Sequence, residues 1–158
     1  MNREIKYRGQ SVDSKVWVYG SLIILTTGYY IVPIDTYYNE INIDLGEETT
    51  VSALWEGNDF HEVIPETVGQ YTGLKDKNNV EIYEHDILRI TIYDMYGKIV
   101  VNKKCKVIFQ DGGFGVLWGH NKSFTNLNAF YNYKFEVIGN IYENKDLLSP
   151  YIAEVTNE

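Results

Sequence analysis

The sequence predicts a mostly β protein, and three of its features point that way. It contains 14 tyrosines but only three alanines, and tyrosine favours strands whereas alanine is the strongest helix former. Short runs in which apolar and polar residues alternate recur along the chain, as expected of strands with one buried face. Glycine and asparagine separate these runs and indicate turns between them.

The N-terminal part is predicted to contain a β-hairpin. Residues 3–8 are a short extended lead that we expect to form an edge strand. Residues 16–25 are rich in strand-forming side chains, residues 26–28 make a turn, and residues 29–34 return. This pair is the first predicted hairpin.

Between this hairpin and Pro65 the pattern is weaker. Residues 41–45 alternate as a strand does, and residues 50–55 predict a single helical turn. Pro65 marks the boundary between an N-terminal lobe and the rest of the chain. The predicted organisation is an N-terminal β lobe over residues 1–64, a second β domain over residues 65–148 and a tail over residues 149–158.

The most specific pattern in the chain lies within residues 65–90. A polar run at residues 75–79 predicts a hairpin turn, in which Asp76 bonds its own backbone two residues further on. Asn79 suits the positive φ that such a turn requires. Glu84-His85-Asp86 then predicts a bend, with Asp86 accepting backbone N–H bonds.

Two long strands follow this bend. Residues 87–93 alternate cleanly, and residues 98–109 place Cys105 on an apolar face. That position predicts a buried, inert thiol. Gln110-Asp111-Gly112-Gly113 is the strongest turn signal of the chain.

The last part of the pattern predicts a closing strand and a short helical turn. After the glycine turn, Phe114, Val116 and Trp118 should face inward. Residues 136–142 read as a strand, in which Gly139 suggests a bulge or a close backbone approach. Residues 144–148 predict a helical turn capped by its first residue.

Net charge narrows the classes of partner. The chain carries −8, which disfavours phosphate backbones as the main partner because neutralising them requires clustered lysine and arginine. Residues 87–108 are an exception, with five basic residues against one acidic. This segment is +4 and the remainder −12, so a basic hairpin within an acidic protein is expected.

The single cysteine and the absence of long apolar runs predict the cellular compartment of the protein. One cysteine cannot form an intrachain disulfide. The start of the chain has no secretory pattern, and no apolar run approaches the length of about 18 residues needed for a membrane span. We therefore expect a cytoplasmic protein that does not enter the membrane.

No residue pattern predicts catalytic, cofactor-binding or metal-binding chemistry. His61, His85 and His120 lack the spacing of metal ligands. The glycines at residues 112–115 lack the lysine and the helix of a phosphate-binding loop. We expect no enzyme activity and no cofactor.

Three segments together resemble the YopX family of small proteins from bacteriophages and prophages. The family pattern V-G-Q-Y-T-G-L-x-D-K-x-G-x-x-I-Y-E-G-D-I-V is similar to residues 68–88. Its D-G-x-F turn is similar to residues 111–114, and its closing E-V-I-G-N-I-Y-E-N-P-E-L-L is similar to residues 136–148. The lead at residues 3–8 also matches the usual start.

The departures from the family pattern fall at turns. Asn79 and His85 replace two glycines, and Lys145 replaces a proline. Asparagine and histidine tolerate the left-handed region better than most residues, so the turns should persist. The resemblance implies a phage or prophage origin and a C-terminal SH3-like β-barrel over residues 65–148, and it implies no known activity.

The aromatic content suggests a function in binding. With 14 tyrosines and three tryptophans, the chain has more aromatic residues than one small core is expected to hide, and exposed aromatics are enriched at protein interfaces. We expect a protein-binding or self-assembling accessory module that forms homo-oligomers or binds an unknown host or phage protein. The candidate surface residues are Tyr83, Arg89, Lys104 and Lys106.

Two alternatives remain open. The basic segment at residues 87–108 could bind nucleic acid, with nearby tyrosines stacking on bases. The acidic remainder could instead imitate DNA and inhibit a DNA-binding host protein as an anti-defence factor.

Overall fold

The protein is mostly β, as predicted. A computed structural model describes residues 4–33, 60–130 and 134–148. Its strands in chain order are β1 (Tyr7–Gln10), β2 (Trp17–Leu25), β3 (Gly28–Pro33), β4 (His61–Val63), β5 (Gly69–Lys75), β6 (Glu81–Tyr83), β7 (Asp86–Tyr93), β8 (Ile99–Gln110), β9 (Gly113–Trp118), β10 (Ser123–Asn126) and β11 (Lys134–Asn140). Short 3-10 helices lie at Pro65–Thr67, Leu127–Ala129 and Lys145–Leu148.

The strands form two antiparallel sheets. One has the order β4-β3-β2-β1-β5-β6 and the other the order β10-β9-β8-β7-β11. Both orders have end strands, so the pairings among the described residues do not close a barrel. The strand expected at 41–45, the helical turn expected at 50–55 and the tail at 149–158 lie outside the described residues.

The chain divides into two compact units, Met1–Gln70 and Tyr71–Glu158. In the first unit the predicted hairpin is present as β2 and β3, joined by Thr26 and Thr27. The expectation of an edge strand at residues 3–8 was wrong. β1 lies between β2 and β5, because Tyr7 pairs with Gly20 on one side and with Gln70 on the other.

Close packing and one threonine hold the first unit together. Gly9 has no room for a side chain, since a Cβ there would come within 2.9 Å of the Val63 Cβ. Thr67 is buried, and its hydroxyl donates to the Ile64 carbonyl at 2.7 Å and accepts from the Gln10 amide at 2.8 Å. β4 and the helix Pro65–Thr67 were missed from the sequence, because each has only three residues and shows no periodicity.

The second unit has a continuous apolar core. It consists of Ile82, Leu88, Ile90, Cys105, Val107, Phe114, Val116, Leu127 and Phe135. Trp118 packs on this core and meets Phe130 edge-on, with the ring centroids 5.1 Å apart. The inward positions predicted for Phe114 and Val116 and the burial predicted for Cys105 are confirmed.

The predicted turns adopt the backbone conformations that their residues favour. Asn79 has φ 66° and His85 has φ 71°, so both stand in the left-handed region that glycine adopts most easily. Asp111 and Gly112 have φ 51° and 78° and form the two-residue turn between β8 and β9.

The end of β11 differs slightly from the prediction. The expected irregularity at Gly139 is present as a register shift against β7, but the strand ends at Asn140 instead of Tyr142. The Asn140 side-chain oxygen accepts the amides of Tyr142 and Glu143, each at 3.0 Å. This local side-chain bond replaces the strand ladder and turns the chain.

Candidate functional site

Both carboxylate oxygens of Asp76 accept backbone hydrogen bonds that stabilise the fold. Its Oδ1 accepts the amides of Asn78 at 2.7 Å and Val80 at 2.9 Å, which closes the turn between β5 and β6. Its Oδ2 accepts the amide of Val137 on β11 at 2.9 Å. Asp76 therefore fixes a turn and attaches it to a distant strand.

The Glu84-His85-Asp86 segment is a bend, as expected. Asp86 is 1% exposed and accepts the Tyr83 amide at 2.7 Å. The backbone of His85 donates to the Val107 carbonyl and accepts from the Ile141 amide, both at 3.1 Å. The bend thus forms backbone hydrogen bonds with both β8 and the segment after β11. These bonds account for the conformation of the bend.

Two of the four predicted surface residues are engaged within the protein. Tyr83 is 2% exposed, and its hydroxyl donates to Glu81 at 2.9 Å, so this side chain is not at the surface. Arg89 is partly exposed, but its guanidinium bonds Glu136 at 2.9 Å, and Lys77 bonds the same carboxylate at 3.1 Å.

The other two predicted residues line a groove in the second unit. Lys104 and Lys106 lie on β8, and the structure adds Lys103 and Lys122 to them. The groove is an open cavity of about 400 Å³, which we call the lysine groove. Its remaining lining residues are Cys105, Ile108, Leu117, Gly119 and Leu148.

Cys105 does not offer a reactive thiol to this groove. It is buried, and burial raises the pKa of its thiol, while the nearby Lys103 ammonium opposes that shift only in part. A raised pKa disfavours the thiolate, which is the nucleophilic form. The prediction of a buried thiol with little reactivity is consistent with this environment.

A second candidate surface lies at the end of the β7–β8 hairpin. The core ends at Ile90 on β7 and Cys105 on β8, but both strands continue beyond it. Five of the apolar side chains past that point are largely exposed. They are Tyr93 at 45%, Met95 and Tyr96 at 87% each, Ile99 at 50% and Val100 at 55%, and we call them the hairpin tip.

The backbone of the hairpin tip is well fixed. Asp94 Oδ1 accepts the amides of Tyr96 and Lys98, each at 2.9 Å. The Asp94 amide donates to the Lys98 carbonyl at 2.9 Å, and Gly97 has φ 79°. Val100 is an extra residue between the pairs Tyr93–Ile99 and Ile92–Val101, so it forms a bulge. The exposed side chains are therefore presented on an ordered turn.

Sequence patterns predicted only some of the residues of these two surfaces correctly. The alternation of residues 98–109 predicted that Ile99 would share the buried face of Cys105, but Ile99 is exposed because the strand extends past the core. Lys122 belongs to a polar stretch without a motif, and only the folded chain brings it to β8.

The described part of the chain contains neither a metal-binding cluster nor a membrane-spanning helix. Within residues 4–33, 60–130 and 134–148, no three His, Cys, Asp or Glu side chains are placed to hold a metal ion. None of the helices in those ranges has the length and apolar character needed to cross a membrane.

Comparison with known proteins supports the family resemblance. The crystal structure of protein EF1440 from Enterococcus faecalis is similar over 94% of this chain and 100% of its own, with a TM-score of 0.52 and 22% identity. That identity supports a shared fold alone. None of the curated proteins compared with the chain matches it. The family model described as YopX protein matches residues 6–149, and the chain therefore belongs to the YopX family.

Proposed function

We propose that this protein is a non-enzymatic accessory protein of a bacteriophage or prophage that works in the host cytoplasm by self-association through the hairpin tip. The observation that carries the proposal is the exposure of five large apolar side chains on one ordered hairpin. Tyrosine and methionine are enriched at protein interfaces, and a preformed turn loses little conformational freedom on binding.

The charge of the hairpin tip favours a second copy as the partner. Self-association of a chain with net charge −8 requires a contact patch without repulsion between like charges. The turn itself contains one acidic residue, Asp94, and one basic residue, Lys98, which cancel. A two-fold contact between identical tips would bury apolar side chains without opposing like charges.

The absence of enzyme activity belongs to the proposal and is supported by how the motif residues are used. Asp76 and Asp86 accept backbone amides, and the Cys105 thiol is held by burial in the protonated form. These groups therefore stabilise turns and core, and they are not presented to a substrate.

Self-association is tested by sedimentation velocity and light scattering over a range of concentrations. The unmodified protein should form a discrete oligomer. A Met95→Ser, Tyr96→Ser double variant should weaken association about tenfold or more, as expected when central interface side chains are truncated. The matched control is Val16→Ser with Ile24→Ser, whose side chains are 62% and 59% exposed in the first unit.

Two outcomes contradict the proposal. One is a monomer at every concentration, and the other is an oligomer that persists in the Met95→Ser, Tyr96→Ser variant. A Met95→Cys variant adds a geometric test, because a residue near a two-fold axis faces its own copy and should form an interchain disulfide faster than Val16→Cys does.

Nucleic-acid binding is a second candidate function, and the lysine groove is the observation that favours it. Four lysines line one concave surface. The tyrosine stacking expected for this function has less support, because Tyr83 is buried and the described residues that line the groove include no aromatic ring. Mobility shift with single- and double-stranded DNA and RNA at low salt tests it directly.

A further inference from the structure

The lysine groove combines four positive charges that form no ion pair with the described part of the chain. Lys6, Lys77 and Arg89 each form an ion pair with a glutamate. The four groove lysines form none with the carboxylates of residues 4–33, 60–130 and 134–148. Like charges brought together around one cavity repel each other, so an anionic ligand would relieve this repulsion.

The same groove runs beside an open strand edge. Residues 103–106 of β8 pair with residues 87–90 of β7. On the opposite side β9 pairs only with residues 107–110, and its last two residues, Leu117 and Trp118, pair with β10 but not with β8. No backbone hydrogen bond from any other described residue reaches residues 103–106 on that side. An edge of this kind can accept another strand.

The groove also presents apolar side chains next to this edge. Ile108 comes from β8, Leu117 from β9 and Leu148 from the helix Lys145–Leu148. Leu117 is 46% exposed and Leu148 is 36% exposed. A ligand that carries both negative and apolar groups would therefore find partners for each.

We propose that the lysine groove binds an extended acidic segment of a partner protein, which adds as a strand to the open edge of β8. Its backbone would hydrogen-bond residues 103–106, a length that matches about four residues at roughly 3.3 Å each. Val107 and its partner Val116 face the core, so Lys104, Lys106 and Leu117 share the outer face of the sheet. Acidic side chains of the segment would meet Lys104 and Lys106 on that face, and the alternate side chains would point to the face of Cys105.

The geometry favours a peptide over a nucleic acid. An open row of backbone amides and carbonyls matches a second peptide backbone, whereas single-stranded nucleic acids require stacking surfaces in addition to positive charge. One aromatic ring beside the groove lysines is that of Trp118, whose centroid lies 5.4 Å from the Lys103 ammonium and which packs against Phe130. Its face is therefore already covered by a cation.

A purely protective role is the competing explanation. Lysines on an edge strand can prevent edge-to-edge aggregation without binding anything. That explanation predicts no specific affinity for acidic peptides and no dependence on the peptide backbone. It also offers no reason for Lys122, which lies outside β8, to share the cavity.

The test uses the full chain and a fluorescent, capped hexapeptide of alternating glutamate and valine, with binding followed by anisotropy. Two probes of similar charge accompany it. One is the same peptide with N-methyl groups on alternate amides, which cannot form the strand hydrogen bonds, and the other is a short oligothymidylate. Amide NMR shifts and hydrogen exchange at residues 103–106 locate the site in the unmodified protein.

The expected result is saturable binding of the hexapeptide, protection of backbone amides within residues 103–106 and binding about tenfold weaker for the methylated peptide. Lys104→Glu with Lys106→Glu should weaken binding about a hundredfold, because each charge is reversed. Lys15→Glu with Lys75→Glu makes the same change in net charge at exposed residues that do not line the groove, and it should leave binding within about twofold. Lys104→Gln with Lys106→Gln gives a second measurement if the reversed variant does not fold.

Three outcomes overturn the proposal. The first is no saturable binding of the hexapeptide, and the second is equal binding of the methylated peptide, which would indicate charge alone. The third is tighter binding of the oligothymidylate, which would assign the groove to nucleic acid. Since Met95 and Tyr96 do not line the groove, the Met95→Ser, Tyr96→Ser variant should bind the hexapeptide normally, and this inference is independent of self-association.

Discussion

Asp76 and Gly139 show how much of the family pattern serves backbone geometry. The bond from Asp76 to the Asn78 amide joins residues two apart and follows from a local rule. Its bond to the Val137 amide joins residues 61 apart and depends on the folded chain. Gly139 has φ 152°, and a Cβ there would come within 2.2 Å of the Asn144 side-chain oxygen. Both residues are therefore required by the backbone of turns, and Asp76 in addition by a contact with a distant strand.

Asp76→Asn should strongly destabilise the second unit. The carboxylate is 8% exposed and accepts three amides. An asparagine amide group would turn an N–H toward at least one of those donors. We expect a loss of about 3 kcal/mol in the free energy of unfolding, measured by urea denaturation.

Asp111→Asn is the matched control for this prediction. Asp111 is exposed in a turn with φ 51°, which asparagine also adopts, so its effect should stay within about 0.5 kcal/mol. Equal stability of the two variants would contradict the structural role assigned to Asp76.

Among the elements, the β7–β8 hairpin differs most from what its pattern predicts. Alternation correctly identified both strands and the buried positions of Leu88, Ile90 and Cys105. Alternation cannot show where the core ends, because an apolar residue beyond the core has the same spacing as one inside it. The hairpin therefore carries apolar side chains into solvent, which makes it the main candidate for self-association.

Glu136 on β11 forms ion pairs with Arg89 of this hairpin and with Lys77 of the β5–β6 turn. Its pKa is lowered, first by the hydrogen bond from Lys77 and then by that from Arg89, although partial desolvation opposes the shift. A carboxylate with a lowered folded-state pKa stabilises the fold above the unfolded pKa of about 4.3. That stabilisation is lost as the pH falls through the folded-state pKa.

Glu136→Gln should therefore change the pH dependence of stability in a defined direction. The variant should be less stable than the unmodified protein at neutral pH, and the difference should shrink below pH about 4.3. Urea denaturation across the acidic range measures it, and Glu62→Gln at an exposed position of β4 is the comparison. A difference that stays constant with pH would show that the ion pairs do not contribute.

At the scale of the whole molecule, the apolar core of the second unit lies within one continuous part of the chain. All nine core residues fall between Ile82 and Phe135. A domain of this size can bury enough apolar surface to fold by itself. The second unit is therefore expected to be an independent folding unit.

A fragment of residues 65–158 should unfold cooperatively in urea. It contains one tryptophan, Trp118, which packs against Phe130 in the core, so its fluorescence reports on core packing. Val116 is fully buried, and the same fragment with Val116→Asp should lose the transition, because an unpaired buried charge costs several kcal/mol. A fragment that unfolds gradually would show that the second unit requires the rest of the chain.

Patterns among neighbouring residues were enough to predict most of the strands, the main turns and the family. These depend on neighbouring residues, namely alternation along a strand, the positive φ tolerated by Asn79 and His85, and the local bonds of Asp76 and Asp86. The sequence also pointed to Lys104 and Lys106 because they lie in one basic segment.

Which of these residues face solvent together depends on how the chain folds. The tertiary structure buried Tyr83, paired Arg89 with Glu136 and brought Lys122 to the edge of β8. It also left the hairpin tip beyond the core. The physical reason is that burial and charge pairing arise between residues far apart in the chain, whereas sequence patterns report only on neighbours.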